Sequence, residues 1–171
     1  MTPELTHTLR TGTITAAATT QTVTADERSR AALAVRLGIP AILALTGDYS
    51  LARGHGGTID AQLHLKARVR LTCVVSLEPF EMKLAETERL RFVPQTGHGA
   101  PEVEALDPET LEGPDEIEFD GETIDLGEVL AEQLALALPA YPRQPGAALP
   151  PAASDETAHP FAALLAFKKP E

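Results

Sequence analysis

From Ile59 to Val75 every odd position is apolar: Ile59, Ala61, Leu63, Leu65, Ala67, Val69, Leu71, Cys73 and Val75. The even positions from Thr58 to Thr72 are all polar. A period of two places one face of an extended strand in a core and the other in water. After a break at Ser76 to Pro79 the phase is taken up again by Phe80, Met82 and Leu84, then by Leu90 and Phe92. The two runs predict a long antiparallel hairpin over residues 58–93, with Pro79 at the bend. That hairpin says how the chain folds and leaves function open.

The flanking segments predict the remaining elements. Residues 5–24 are Thr-rich with scattered apolars, which suits one or two short edge strands. Thr24 followed by Glu27 reads as a capping box, and Ala31, Leu33, Ala34, Val35 and Leu37 follow at helical spacing. Gly38 and Pro40 close that helix, predicted over residues 26–37. Residues 41–52 read as a strand with Leu43, Leu45, Tyr49 and Leu51 on one face, and Gly47 marks a bulge. Residues 117–119 form a short strand, and Asp120-Gly121 signals a hairpin into Thr123-Ile124. Asp125 caps a second helix over 125–138, with Glu128 at its third position and an apolar stripe of Leu126, Val129, Leu130, Leu134 and Leu138.

Three stretches lack such a pattern. Residues 94–114 are acidic with Pro and Gly at intervals and predict a long loop. Residues 144–158 are a Pro/Ala-rich linker. Residues 159–169 are amphipathic, but a helix that short needs a surface to dock on. The expected architecture is α+β. One domain over residues 1–143 has an antiparallel or mixed sheet, two main helices and a short C-terminal helix beyond the linker.

At 171 residues the chain is long enough to bury one core, and with no Trp and few aromatics that core must be aliphatic. The net charge of −11 argues against a general nucleic-acid binder, because phosphate contacts need Lys and Arg. The charge is unevenly spread, however. No Lys or Arg lies between Phe92 and Pro142, and 13 of the 25 acids fall between Glu102 and Glu132. Two surfaces of opposite sign are therefore expected.

The basic one is the polar face of the hairpin, where His64, Lys66, Arg68 and Arg70 are joined by Lys83, Arg89 and Arg91. Its candidate RNA contacts are Lys66, Arg68, Arg70, Arg89 and Arg91. The competing reading is a solvated outer face, since no aromatic interleaves the stripe for base stacking. The acidic candidates for a protein partner are Glu116, Glu118, Asp120 and Glu122, with Phe161, Leu164 and Leu165 of the docking segment.

No catalytic residue, metal site or cofactor is expected. Cys73 sits on the apolar phase, where a lone thiol behaves as a small hydrophobe. The five histidines lack ligand spacing, and neither a GxSxG elbow nor a P-loop occurs. Residues 1–7 carry no signal-peptide pattern, and no apolar run approaches the ~18 residues of a membrane span. A cytoplasmic protein with no membrane partner is the expectation.

The segment Leu71-Thr72-Cys73-Val74-Val75-Ser76-Leu77-Glu78-Pro79-Phe80 resembles the YceD family of large ribosomal RNA subunit accumulation proteins. Ala32 to Ile42 resembles that family's first-helix-to-strand segment in its alphaproteobacterial branch. Ile124 to Leu136 followed by Tyr141 to Ala147 resembles its second-helix motif, and His159 to Leu164 its short C-terminal motif. The resemblance implies a non-enzymatic factor supporting 23S rRNA accumulation and large-subunit assembly. Its implied partner is precursor 23S rRNA or a basic ribosomal protein, ribosomal protein L32 being one whose gene commonly neighbours the family's. A monomer is favoured. The alternative is a general interaction module docking through residues 159–169.

One departure from the family is visible. Many members carry CxxC at the hairpin turn and further cysteines after the second helix. Here Ser76 stands where the second Cys would be, and residues 141–147 contain none. One thiolate cannot hold a structural zinc. The turn is expected instead to pack against residues 141–146.

Overall fold

The two long runs form the predicted hairpin, β4 (Ile59–Thr72) and β5 (Pro79–Pro94), paired antiparallel from Ile59↔Phe92 to Thr72↔Pro79. The computed structural model describes residues 3–95 and 113–148. Before the hairpin come β1 (Thr8–Arg10), β2 (Thr19–Thr24), α1 (Glu27–Arg36) and β3 (Ala41–Arg53). After it come β6 (Asp115–Phe119), β7 (Thr123–Asp125) and α2 (Leu126–Ala137). The fold is α+β. A five-stranded sheet has the order β2-β3-β4-β5-β6, and β1 and β7 make a separate two-stranded sheet.

Strand β4 alternates buried and exposed at every residue, so the period-two reading holds along its whole length. Its inner positions join Leu45, Tyr49, Leu51, Leu84, Leu90 and Phe92, together with Leu33 of α1 and Leu126, Leu130 and Leu134 of α2, in one core. Each buried Leu of this kind contributes roughly 1.5–3 kcal/mol relative to exposure. Both helices lie on this inner side, and Arg36 of α1 reaches Glu128 of α2 at 2.7 Å. The phenol of Tyr49, from the sheet, donates to the Leu126 carbonyl at 2.8 Å.

The structure corrects four local expectations. The cap of α1 is Asp26, whose carboxylate accepts from the Ser29 N–H at 2.7 Å, and not Thr24. Thr24 is still paired in β2, and Ala25 donates to the Leu45 carbonyl, so the helix cannot begin earlier. The bulge in β3 falls at Leu43, between the pairs Ile42↔Val69 and Ala44↔Arg68, so Ile42 replaces Leu43 on the buried face. Gly47 sits in regular ladder, and its need is packing: a Cβ there would meet Leu130 Cδ1 at 2.7 Å.

The fourth concerns Asp120-Gly121. It turns the chain, but β6 and β7 are not a hairpin. β6 runs parallel beside the end of β5, and β7 pairs antiparallel with β1. A parallel neighbour requires a connection of a dozen or more residues, which the stretch between β5 and β6 supplies. Residues 96–112, most of the expected acidic loop, and the docking segment 159–169 lie outside the described residues.

The second helix starts where predicted. Asp125 accepts from the N–H groups of Gly127 and Glu128, and also from His7. Gly127 is required because the segment before β1 crosses so closely that a Cβ would lie 2.6 Å from the Leu5 carbonyl oxygen.

Candidate nucleic-acid interface

The alternation that buries one face of the hairpin leaves the other bare among the described residues. On it β4 presents Gln62, His64, Lys66, Arg68 and Arg70, and β5 presents Glu81, Lys83, Thr87, Arg89 and Arg91. All five expected RNA contacts, Lys66, Arg68, Arg70, Arg89 and Arg91, therefore share one face.

The register decides which of them carry free positive charge. Arg70 stands opposite Glu81 and its guanidinium lies 3.0 Å from that carboxylate. Arg91 stands opposite Asp60, with Nε 2.8 Å from Oδ1, and this carboxylate raises its pKa further. Arg89 faces Gln62 and is itself engaged in an interaction. Lys66 has only a loose pairing, Nζ lying 3.9 Å from Asp48 Oδ2, and its side chain is 71% exposed. Arg68 lies directly opposite Lys83, and neither has a carboxylate within ion-pair distance among the described residues.

Lys66, Arg68 and Lys83 thus form the centre of the patch. His64 flanks it, its Nδ1 2.9 Å from Thr87 Oγ1. Along a strand, side chains of one face recur about every 6.6–6.8 Å, a spacing at which successive cations can each meet a different phosphate. Lys83 is not among the five expected contacts, and its place opposite Arg68 follows from the β4–β5 register.

The acidic candidates do not form one site. Glu116 and Glu118 are exposed on β6, with Glu116 beside Arg91 and Glu118 accepting from Gln95 Nε2 at 3.4 Å. Asp120 holds the β6–β7 turn, accepting from the N–H groups of Glu122 and Thr123, which lower its pKa. Glu122 is exposed, and its carbonyl accepts from the Thr11 N–H. Phe161, Leu164 and Leu165 lie outside the described residues.

Cys73 is fully buried at the hairpin turn. Its sulfur accepts from the N–H groups of Val75, Ser76 and Gln144 at 3.4–3.5 Å, and Val74 N–H donates to the Pro142 carbonyl at 2.9 Å. The expected packing of the turn against residues 141–146 is present in these bonds. Hydrogen bonds from Ser76, then from Gln144, hold the thiol down to about 6. Among the described residues no three His, Cys, Asp or Glu side chains converge as metal ligands. No helix among them is long and apolar enough to cross a membrane.

Comparison with known proteins adds one match. Residues 61–168 fit the family model described as large ribosomal RNA subunit accumulation protein YceD. No curated protein and no solved structure matches the chain. The match runs from β4 through the hairpin turn and α2 to near the chain's end, well over half of its length, so this chain belongs to the YceD family.

Proposed function

We propose that this protein acts without catalysis in the cytoplasm, supporting 23S rRNA accumulation and large-subunit assembly by holding precursor rRNA along the outer face of its sheet. The family's description supplies the large-subunit rRNA role. The observation that supports direct contact is the pair Arg68 and Lys83, with Lys66 beside it, on a sheet face where no carboxylate among the described residues neutralises that pair. Like charges directly opposite in a ladder destabilise it, so their juxtaposition calls for an anion. With no aromatic on this face, the ligand chemistry is phosphate backbone rather than stacked bases. A chain of net charge −11 repels RNA generally, which confines binding to this patch and favours folded RNA presenting closely spaced phosphates.

The test is binding to a transcript of precursor 23S rRNA across a salt series. Lys66→Glu, Arg68→Glu and Lys83→Glu together should abolish measurable binding. Single changes should each reduce the salt slope by about 1. An unchanged slope in all three single variants sinks direct contact through this face. The general interaction module through residues 159–169 has no described residue to support it.

A further inference from the structure

The lane beside β5 is only partly filled. β6 pairs with Leu90 to Pro94, and the rest of β5 has β4 on one side and no strand on the other among the described residues. Pro114, immediately before β6, lines a depression on the outer face with Ser50, Asp60, Gln62, Arg89 and Arg91.

The inner side of the open edge is acidic. Glu86 and Glu88 stand at core-phase positions, opposite Leu65 and Leu63, and Asp115 stands opposite Leu90. With Gln133, Leu136 and Ala137 of α2 they line a groove of about 360 Å³. Gln133 is only 7% exposed, yet its amide makes no hydrogen bond to any described residue. Lining the groove, this amide offers both a donor and an acceptor to it. Leu136 at the rim is 74% exposed.

We infer that this edge is a docking site for an extended, lysine- or arginine-rich protein segment, which adds as a strand beside β5. Open ladder groups bind its main chain, as in other strand-addition complexes. The Gln133 amide satisfies a further peptide group, and Glu86, Glu88 and Asp115 take its cations. Glutamates pointing inward on an edge strand also repel apolar strands, so the same residues block self-association and admit a basic partner. The partner's cations should occur at every second position, because alternate side chains of the added strand face Lys83 and Arg89 on the outer side. The site is separate from the Lys66–Arg68–Lys83 patch, and either can fail without the other.

The experiment uses the full chain and two synthetic peptides of equal composition, one alternating lysine and threonine, the other with its lysines in one block. The alternating peptide should bind more tightly and shift the backbone amide signals of residues 80–89. Glu86→Gln with Glu88→Gln should weaken it about tenfold, and Gln133→Leu several-fold. Glu27→Gln with Glu122→Gln, a pair of acids removed elsewhere, should leave it unchanged. Equal binding of the two peptides, equal loss in the control pair, or edge amides already protected from exchange in the free protein would each overturn the proposal.

Discussion

Arg68 and Lys83 face one another across the central hairpin with no carboxylate of the described residues in ion-pair distance of either, on a sheet face that pairs Arg70 with Glu81 and Arg91 with Asp60. Stability and function should pull apart at this pair. Arg68→Glu places an acid opposite Lys83 and should raise stability by about 0.5 kcal/mol, read from the urea midpoint. The same change should lower affinity for precursor rRNA. A variant that gains RNA affinity, or loses stability instead, contradicts the charge argument.

Gly127→Ala tests the crossing of the segment before β1 over the start of α2. Alanine is the better helix former by about 1 kcal/mol, yet its Cβ would meet the backbone of Leu5 and His7 at 2.6–2.8 Å. Backbone cannot swing aside as a side chain does. The variant should be destabilised by about 2 kcal/mol, with amide protection lost first in β1 and β7. Gly47→Ala meets leucine methyl groups and should cost less.

Tyr49 ties the sheet to the start of α2, and burial, aided by the charge of Asp125, pushes its phenol pKa up. Tyr49→Phe should cost about 1–2 kcal/mol, because the Leu126 carbonyl loses a buried donor. The pH effect has a definite sign. A group whose folded pKa is raised contributes stability that is complete below its unfolded value of 10.0 and lost above it. Stability of the wild type should fall as pH rises past about 10, and Tyr49→Phe should remove that component.

Cys73 gives the opposite slope. Its folded pKa, lowered to about 6, makes its contribution complete above the unfolded value of 9.0 and lost as pH falls towards 6. The melting temperature of wild type minus that of Cys73→Ala should therefore shrink between pH 9 and 6. Its thiolate should nonetheless alkylate slowly in the native state, because the sulfur is buried. Rapid labelling would contradict that burial.

What could be read along the chain was whatever depends on neighbours in sequence. The alternation of β4, the stripe of α2 and its Asp125 cap are local patterns, and they appear as expected. The structure departs from the local pattern where a distant residue decides. Ala25 is held to the Leu45 carbonyl, which delays α1 to Asp26. Leu130 overlies Gly47, so a glycine that suggested a bulge instead makes room for a helix. β1 takes β7 into a second sheet, so a good hairpin signal joins strands that do not pair.

The candidate surface divides the same way. The sequence by itself determined that six of the basic residues belong to one hairpin and that its polar face would be wet, because side-chain direction in a strand follows from parity alone. Only the tertiary structure decided which of those charges are balanced. Cross-strand register pairs Arg70 with Glu81 and Arg91 with Asp60, and leaves Arg68 against Lys83. It also decided that Glu86 and Glu88 line one groove with Gln133, residues more than forty positions apart in the chain. Strand register and helix docking depend on contacts between residues far apart in sequence, and the alternation within one segment carries no record of them.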